Sequence, residues 1–200
     1  MKYIYGLNKS GISIINYLES NKLGYVAWDD NIKKRREASK IFKNIILKDP
    51  KNLNYSIIKE SFITPGIDLK DKKLNIFRKK NINLFRDLEL YSQLISNQKI
   101  IAISGTNGKS TTTKLIGDLI TLSKKNCFIG GNIGKPLIEF VNSKDQSNYH
   151  VIELSSFQLE SAPSFKSFIS ILLNISNDHM DRYKKFTNYL REKKKIINKN

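Results

Sequence analysis

Short apolar runs alternate along the chain with stretches in which apolar residues recur every three or four positions. Lys2 to Tyr5 reads as a strand ending at Gly6, and Ile12, Ile15 and Leu18 then follow at helical spacing. Tyr25 to Trp28 is a second strand, closed by Asp29 and Asp30, and Ser61 to Thr64 a third, running into the turn residues Pro65 and Gly66. Asp71 to Lys80 reads as a helix, Ile82 to Phe85 as a strand and Leu88 to Ile95 as a connecting helix. From Gln98 the pattern restarts. Lys99 to Ser104 is a β-rich run followed by a polar loop and a helix, with further strands expected at Asn126 to Ile129, Tyr149 to Leu154 and Phe168 to Leu173. Strands that alternate with helices predict parallel sheets and an α/β fold. The restart places a domain boundary near Tyr91 to Asn97, giving domains 1–93 and 94–200. The chain stops at Asn200 inside a Lys-rich helical segment, so the second domain is expected to be incomplete.

Composition narrows the class. At 200 residues, 40% of them hydrophobic, with ten Phe and nine Tyr, the chain has enough apolar material for a core, which excludes wholesale disorder. Its single cysteine, Cys127, excludes an internal disulfide and any CxxC redox or zinc motif. The N-terminus lacks the pattern of a secretory signal and no apolar run approaches the length of a membrane span, so a cytoplasmic protein with no membrane partner is expected. A net charge of +17 invites a nucleic-acid reading. However, 29 of the 35 basic residues are lysines scattered along the chain among abundant Ile and Asn, so no nucleic-acid partner is expected.

The chemistry concentrates at strand ends. Gly105, Thr106, Asn107, Gly108, Lys109, Ser110 and Thr111 form a phosphate loop of the GxxGKS type between a strand and a helix. Backbone N–H groups and the helix N-terminus favour phosphate there, Lys109 can reach β- and γ-phosphates, and Ser110 is placed to hold Mg²⁺. Glu153 ends the YHVIEL strand, and a carboxylate at that position suits a magnesium ion that also takes waters and phosphates. NISNDHMDRY at 174–183 offers His179 between two aspartates, either as a metal ligand or as an ordinary exposed histidine. Asn132 lies in GGNIG, where the glycines imply a sharp turn or a close backbone approach. Gly6 and Gly11 match two positions of GxGxxG, but Asn8 takes the middle one, so a dinucleotide site is not expected.

In combination and in this order, GTNGKST, GGNIG, ELSSFQLE and NDHMDRY resemble the Mur ligases, specifically the branch that adds D-glutamate. The first ninety residues are similar to that family's uridine-nucleotide domain at GLNKSG, the Asp29 strand end, TPGI and DLEL. The resemblance implies a Rossmann-like parallel sheet in the N-terminal domain, then part of a P-loop NTPase-type α/β domain, with no counterpart of the family's third domain. It further implies ATP and Mg²⁺ as cofactors, UDP-N-acetylmuramoyl-L-alanine and D-glutamate as substrates, and amide formation through an acyl phosphate in peptidoglycan synthesis. Carried over by motif, Lys109, His179 and Lys193 would be catalytic, and Ser110, Glu153, His179 and Lys193 would hold metal. Lys193 is the position that the family's spacing indicates for a carbamylated lysine, with Lys194 and Lys195 adjoining. Lys9, Ser10, Asp29 and Thr64 would contact the uridine nucleotide, and Asn132, Ser155 and Gln158 the muramoyl-alanine part. Two alternatives stay open: a non-catalytic UDP-sugar or nucleotide-binding module, and another relative such as a folylpolyglutamate synthase.

Overall fold

The computed structural model describes residues 1–143 and 145–197. By internal contacts the chain divides into two compact units, Met1–Asp87 and Leu88–Asn200.

In the first unit, β1 (Lys2–Tyr5), β2 (Tyr25–Trp28), β3 (Glu60–Ile63) and β4 (Asn83–Phe85) form one parallel sheet of order β2-β1-β3-β4. Lys2 stands beside Tyr25 on one side and Glu60 on the other. Strand side chains alternate between faces. Tyr3 and Tyr5 therefore enter a cluster with Ile58, Ile63, Leu74 and Phe77, whereas Ile4 between them points to the opposite face. Helix α1 (Lys9–Ser20) buries Ile14, Ile15 and Leu18. The region expected to be helical from Asp71 begins as a 3₁₀ turn capped by the Asp71 side chain and continues as α3 (Asn75–Lys79). Helix α2 (Ile32–Ile41) has no sequence-based counterpart because Ala38 is its one buried residue, so there is no apolar stripe to find. The Asn31 side chain caps it by accepting from the Lys33 N–H.

Arg86, just past β4, is fully buried. Its Nη1 donates to the carbonyls of Ile63, Thr64 and Ile67 at 2.8–3.0 Å, so one guanidinium ties down the turn that follows β3.

In the second unit, β5 (Lys99–Ser104), β6 (Cys127–Gly131), β7 (Tyr149–Glu153) and β8 (Ile169–Leu172) form a parallel sheet of order β6-β7-β5-β8. Helix α4 (Asp87–Leu94) precedes the sheet, and α5 (Lys109–Leu122) follows β5. Ile101, Ile103 and Val151 pack with Ile116 and Ile120 of α5. The short helices α6 (Glu139–Asn142), α7 (Ser156–Leu159) and α8 (Met180–Tyr183) and the longer α9 (Phe186–Lys194) complete the described part. The division at Asp87 falls ahead of the boundary expected at Tyr91 to Asn97, and α4 shows why. Its Tyr91 hydroxyl donates to Nδ1 of the buried His150 on β7 at 2.5 Å, and Glu89 accepts from the Ser164 N–H and hydroxyl at 2.9 and 2.7 Å. His150 sits among Phe128, Phe140 and Tyr91. Burial pushes its pKa down to about 4, so the ring is neutral near pH 7 and Nε2–H donates to the Ser147 carbonyl. Among the described residues, no helix is long and apolar enough to cross a membrane.

Candidate nucleotide and metal site

Parallel α/β sheets collect ligands at the carboxyl ends of their strands. In the second unit, β5 and β7 are neighbours, and their ends bring the phosphate loop to Glu153. Gly108 opens α5 with φ +80°, a left-handed turn that a side chain would strain, and the first α5 residues, Lys109 and Ser110, follow at once. Ser110 Oγ donates to Glu153 Oε2 at 2.8 Å. Asn132 Nδ2 donates to Glu153 Oε1 at 2.9 Å, and the Asn132 N–H to the Glu153 carbonyl at 2.8 Å. Gly131 has φ +111°, and a Cβ there would overlap the Glu153 backbone, so the GGNIG glycines permit the approach that seats Asn132 on this carboxylate.

The oxygen set suits Mg²⁺. A hydroxyl and a buried carboxylate side by side at a phosphate loop are hard donors, and such an ion would take its remaining oxygens from water and phosphate. Among the described residues, no group of three or more His, Cys, Asp or Glu side chains is preassembled for a metal.

Around the loop lies a second set of contacts that the sequence did not announce. Thr106 N–H donates to the Asn174 carbonyl at 3.0 Å and Asn107 N–H to Asn174 Oδ1 at 2.9 Å, while Asn174 Nδ2 returns a bond to the Asn107 carbonyl at 3.1 Å. The segment after β8 thus braces the loop. Lys109 Nζ donates to the Thr106 carbonyl at 2.7 Å, folding back over the loop.

Of the three neighbouring lysines, Lys193 is buried at 2% exposure while Lys194 and Lys195 are exposed. Its Nζ donates to Gly105 O at 2.7 Å and Ser104 Oγ at 3.0 Å. Burial, reinforced by the nearby Lys109 charge, pushes its pKa down to about 8. That leaves an appreciable neutral fraction, the form that acts as a nucleophile.

His179 caps α8 in a left-handed conformation, φ +53°, with its ring 4.7 Å from that of Phe157 and Nε2 3.4 Å from Asp178 Oδ2. Arg182 lies over the same Phe157 ring, 4.1 Å from its centroid, and pairs with Glu160 at 2.9 Å. Ser155 and Gln158 are buried and engage each other in a capping box at the start of α7. Their side-chain oxygens therefore serve helix α7 directly.

In the first unit, Lys9 and Ser10 open α1, and Asp29 follows β2. The Asp29 carboxylate accepts from the Leu7 N–H at 2.7 Å and the Asn31 N–H at 2.8 Å, linking the turns after β1 and β2. Thr64, after β3, is buried against Gly6, and its Oγ1 has no hydrogen-bond partner among the described residues. A buried, unpaired hydroxyl costs free energy unless a ligand or water completes it.

Residues 103–200 match the family described as the Mur ligase middle domain. Curated relatives named UDP-N-acetylmuramoylalanine--D-glutamate ligase include one from Wolbachia pipientis, 37% identical over 98% of this chain and 38% of its own length. One from Rickettsia prowazekii is 35% identical over 98% of this chain and 43% of its own, and one from Buchnera aphidicola 38% identical over 96% and 44%. The chain thus spans about two fifths of the length of these relatives. Among solved structures, a UDP-N-acetylmuramate:L-alanyl-gamma-D-glutamyl-meso-diaminopimelate ligase from Neisseria meningitides superposes with a TM-score of 0.58 at 14% identity, covering 98% of this chain and 66% of that one. A UDP-N-acetylmuramate-alanine ligase from Thermotoga maritima gives 0.54 at 19% identity, covering 98% and 46%. At those identities the likeness establishes a shared mixed α/β fold with parallel sheets. With the family match and the sequence likeness along nearly the whole chain, the comparisons lead to one conclusion: residues 103–200 belong to the Mur ligase middle-domain family, and the chain as a whole is similar to the D-glutamate-adding ligases.

Proposed function

We propose that the chain carries the nucleotide-handling part of an ATP-dependent ligase that joins D-glutamate to UDP-N-acetylmuramoyl-L-alanine in peptidoglycan synthesis in the cytoplasm. The observation that carries this reading is the meeting of Ser110, at the start of α5, with Glu153, at the end of β7, 2.8 Å apart.

The reaction begins with two like charges, a substrate carboxylate and the γ-phosphate. At ~4 Å and an effective dielectric of ~20, each pair of unit charges costs ~4 kcal/mol, nearly three decades in rate. The chain's answer is positive charge in place beforehand at the α5 N-terminus and Lys109, together with the oxygen pair of Ser110 and Glu153 that would hold Mg²⁺. When bound, that ion supplies charge neutralisation at the transferring phosphoryl group. Asn132, by donating to Oε1, keeps the Glu153 carboxylate turned so that Oε2 faces Ser110.

Lys193 and His179 are assigned a second metal position. Nζ of neutral Lys193 adds to CO₂, forming an N–C bond and releasing one proton, and the product carboxylate replaces an amine with the oxygen donors that Mg²⁺ prefers. Lys9, Ser10, Asp29 and Thr64 are assigned to the uridine nucleotide, grouped at the turns that follow β1, β2 and β3. Asn132, Ser155 and Gln158 are assigned to the muramoyl-alanine part, Ser155 and Gln158 through the helix start that they cap.

This division of labour is tested by Asp29→Ala. Its affinity for UDP-N-acetylmuramoyl-L-alanine should fall about tenfold, as two backbone N–H groups lose their acceptor and the turn after β1 loosens. Its affinity for ATP should stay unchanged. Calorimetric titration of both ligands decides, and loss of ATP binding with the UDP-sugar retained contradicts the assignment.

A further inference from the structure

Helix α9 grips the phosphate loop at two points. Tyr189 and Lys193 are four residues apart and so share one helix face, and both are buried. Lys193 reaches Gly105 O and Ser104 Oγ. Tyr189 OH lies 3.1 Å from Thr106 Oγ1. Thr106 Oγ1 also accepts from the Ser176 N–H at 3.0 Å and lies 3.2 Å from the Ser176 carbonyl, to which it donates. A threonine hydroxyl has one proton and two acceptor sites, so this arrangement leaves one acceptor site, which the Tyr189 O–H fills. Thr106 is thereby saturated, its side chain serving the shape of the loop with no capacity left for a phosphate. The Tyr189 ring also stands between two other groups of the site, 6.3 Å from the His179 ring and 5.5 Å from Lys193 Nζ.

We propose that Tyr189 is a positioning residue for nucleotide binding, latching the phosphate loop to α9 through Thr106 so that the loop that receives ATP and the helix that bears Lys193 are set by one hydroxyl contact. The proposal rests on the reading of Gly105–Thr111 as an ATP loop and adds a residue that touches no ligand itself. It assigns Thr106 a structural task inside the loop.

The test uses the 200-residue chain and three variants, with Mg·ATP affinity, UDP-N-acetylmuramoyl-L-alanine affinity and melting temperature measured for each. Tyr189→Phe keeps the ring and removes the hydroxyl. Its ATP affinity should fall about fivefold, the worth of one hydrogen bond, with UDP-sugar affinity unchanged and the melting temperature within about two degrees of the parent. Thr106→Val should weaken ATP by at least as much, and adding Tyr189→Phe to it should cost nothing more, because the latch is already gone. Additive losses, a Tyr189→Phe chain with parental ATP affinity, or one that loses both ligands along with many degrees of stability would overturn the latch. Lys109→Ala separates the two levels. If it loses ATP while Tyr189→Phe does not, the latch fails and the ATP reading stands; if it keeps ATP, both fall.

Discussion

Lys109→Ala should lower the affinity for Mg·ATP by about 10- to 100-fold while leaving the fold intact. Lys109 directly follows Gly108 as the first residue of α5, and its ammonium is the one cationic side chain of the loop. In the present structure it folds back to the Thr106 carbonyl at 2.7 Å, a bond that a phosphate oxygen would replace with a charge-assisted one. A hydrogen bond to a charged group is worth about 1.5–3 kcal/mol, roughly one to two decades in affinity. Little stability should go with it, because the side chain is only half-buried and donates to a carbonyl on its own loop. Nucleotide titration and a melting curve on the same sample check both halves. Parental ATP affinity in this variant would refute the phosphate-loop assignment.

Arg86→Met should cost the first unit about 3 kcal/mol or more. Methionine fills much of the arginine volume but leaves the carbonyls of Ile63, Thr64 and Ile67 without the donor that now reaches all three. Each buried acceptor deprived of its partner costs roughly 1–3 kcal/mol, less where water enters. The effect can be read locally, since Trp28 is the single tryptophan of the chain and lies on β2 of this unit. The urea midpoint followed by tryptophan fluorescence should fall by about 1–3 M. Because the pinned turn carries Thr64, UDP-sugar affinity should fall as well under conditions where the variant is still folded. An unchanged midpoint would show that the turn after β3 holds its shape without the guanidinium.

What could be read from the sequence, and what could not, follows from how far each contact reaches along the chain. The strands were legible because parallel strands buried on both faces are short continuous apolar runs, and Lys99–Ser104 matches its expected bounds at both ends. The phosphate loop was legible because all its parts are contiguous. Helix α2 was not, since a helix that buries only Ala38 has no period to detect. Arg86 lies beyond such reading for the opposite reason. An arginine ordinarily signals a solvated position, and only the register of β3 against β4 brings three carbonyls around it. Asn174, Ser176 and Tyr189 reach the loop across some seventy to eighty residues of sequence, and although 174–183 stands out as a motif, nothing local marks these contacts. Lys193 stands in a run of three lysines that are chemically alike, and burial alone separates it from its neighbours. The unit boundary moved from the expected place because Tyr91 and Glu89 find partners in the second unit that a linear pattern does not reveal.

The central claim is that Gly105–Thr111 receives the terminal phosphates of ATP, with Mg²⁺ held by Ser110 and Glu153. Calorimetric titration of the chain with ATP and with AMP, each with Mg²⁺ and with a chelator in its place, tests it most directly. The account predicts one site for ATP, tightened by Mg²⁺, and an AMP affinity weaker by at least about 100-fold, because AMP lacks the phosphates that Lys109 and the metal pair engage. Equal affinities for the two nucleotides, or ATP binding indifferent to Mg²⁺, would contradict it.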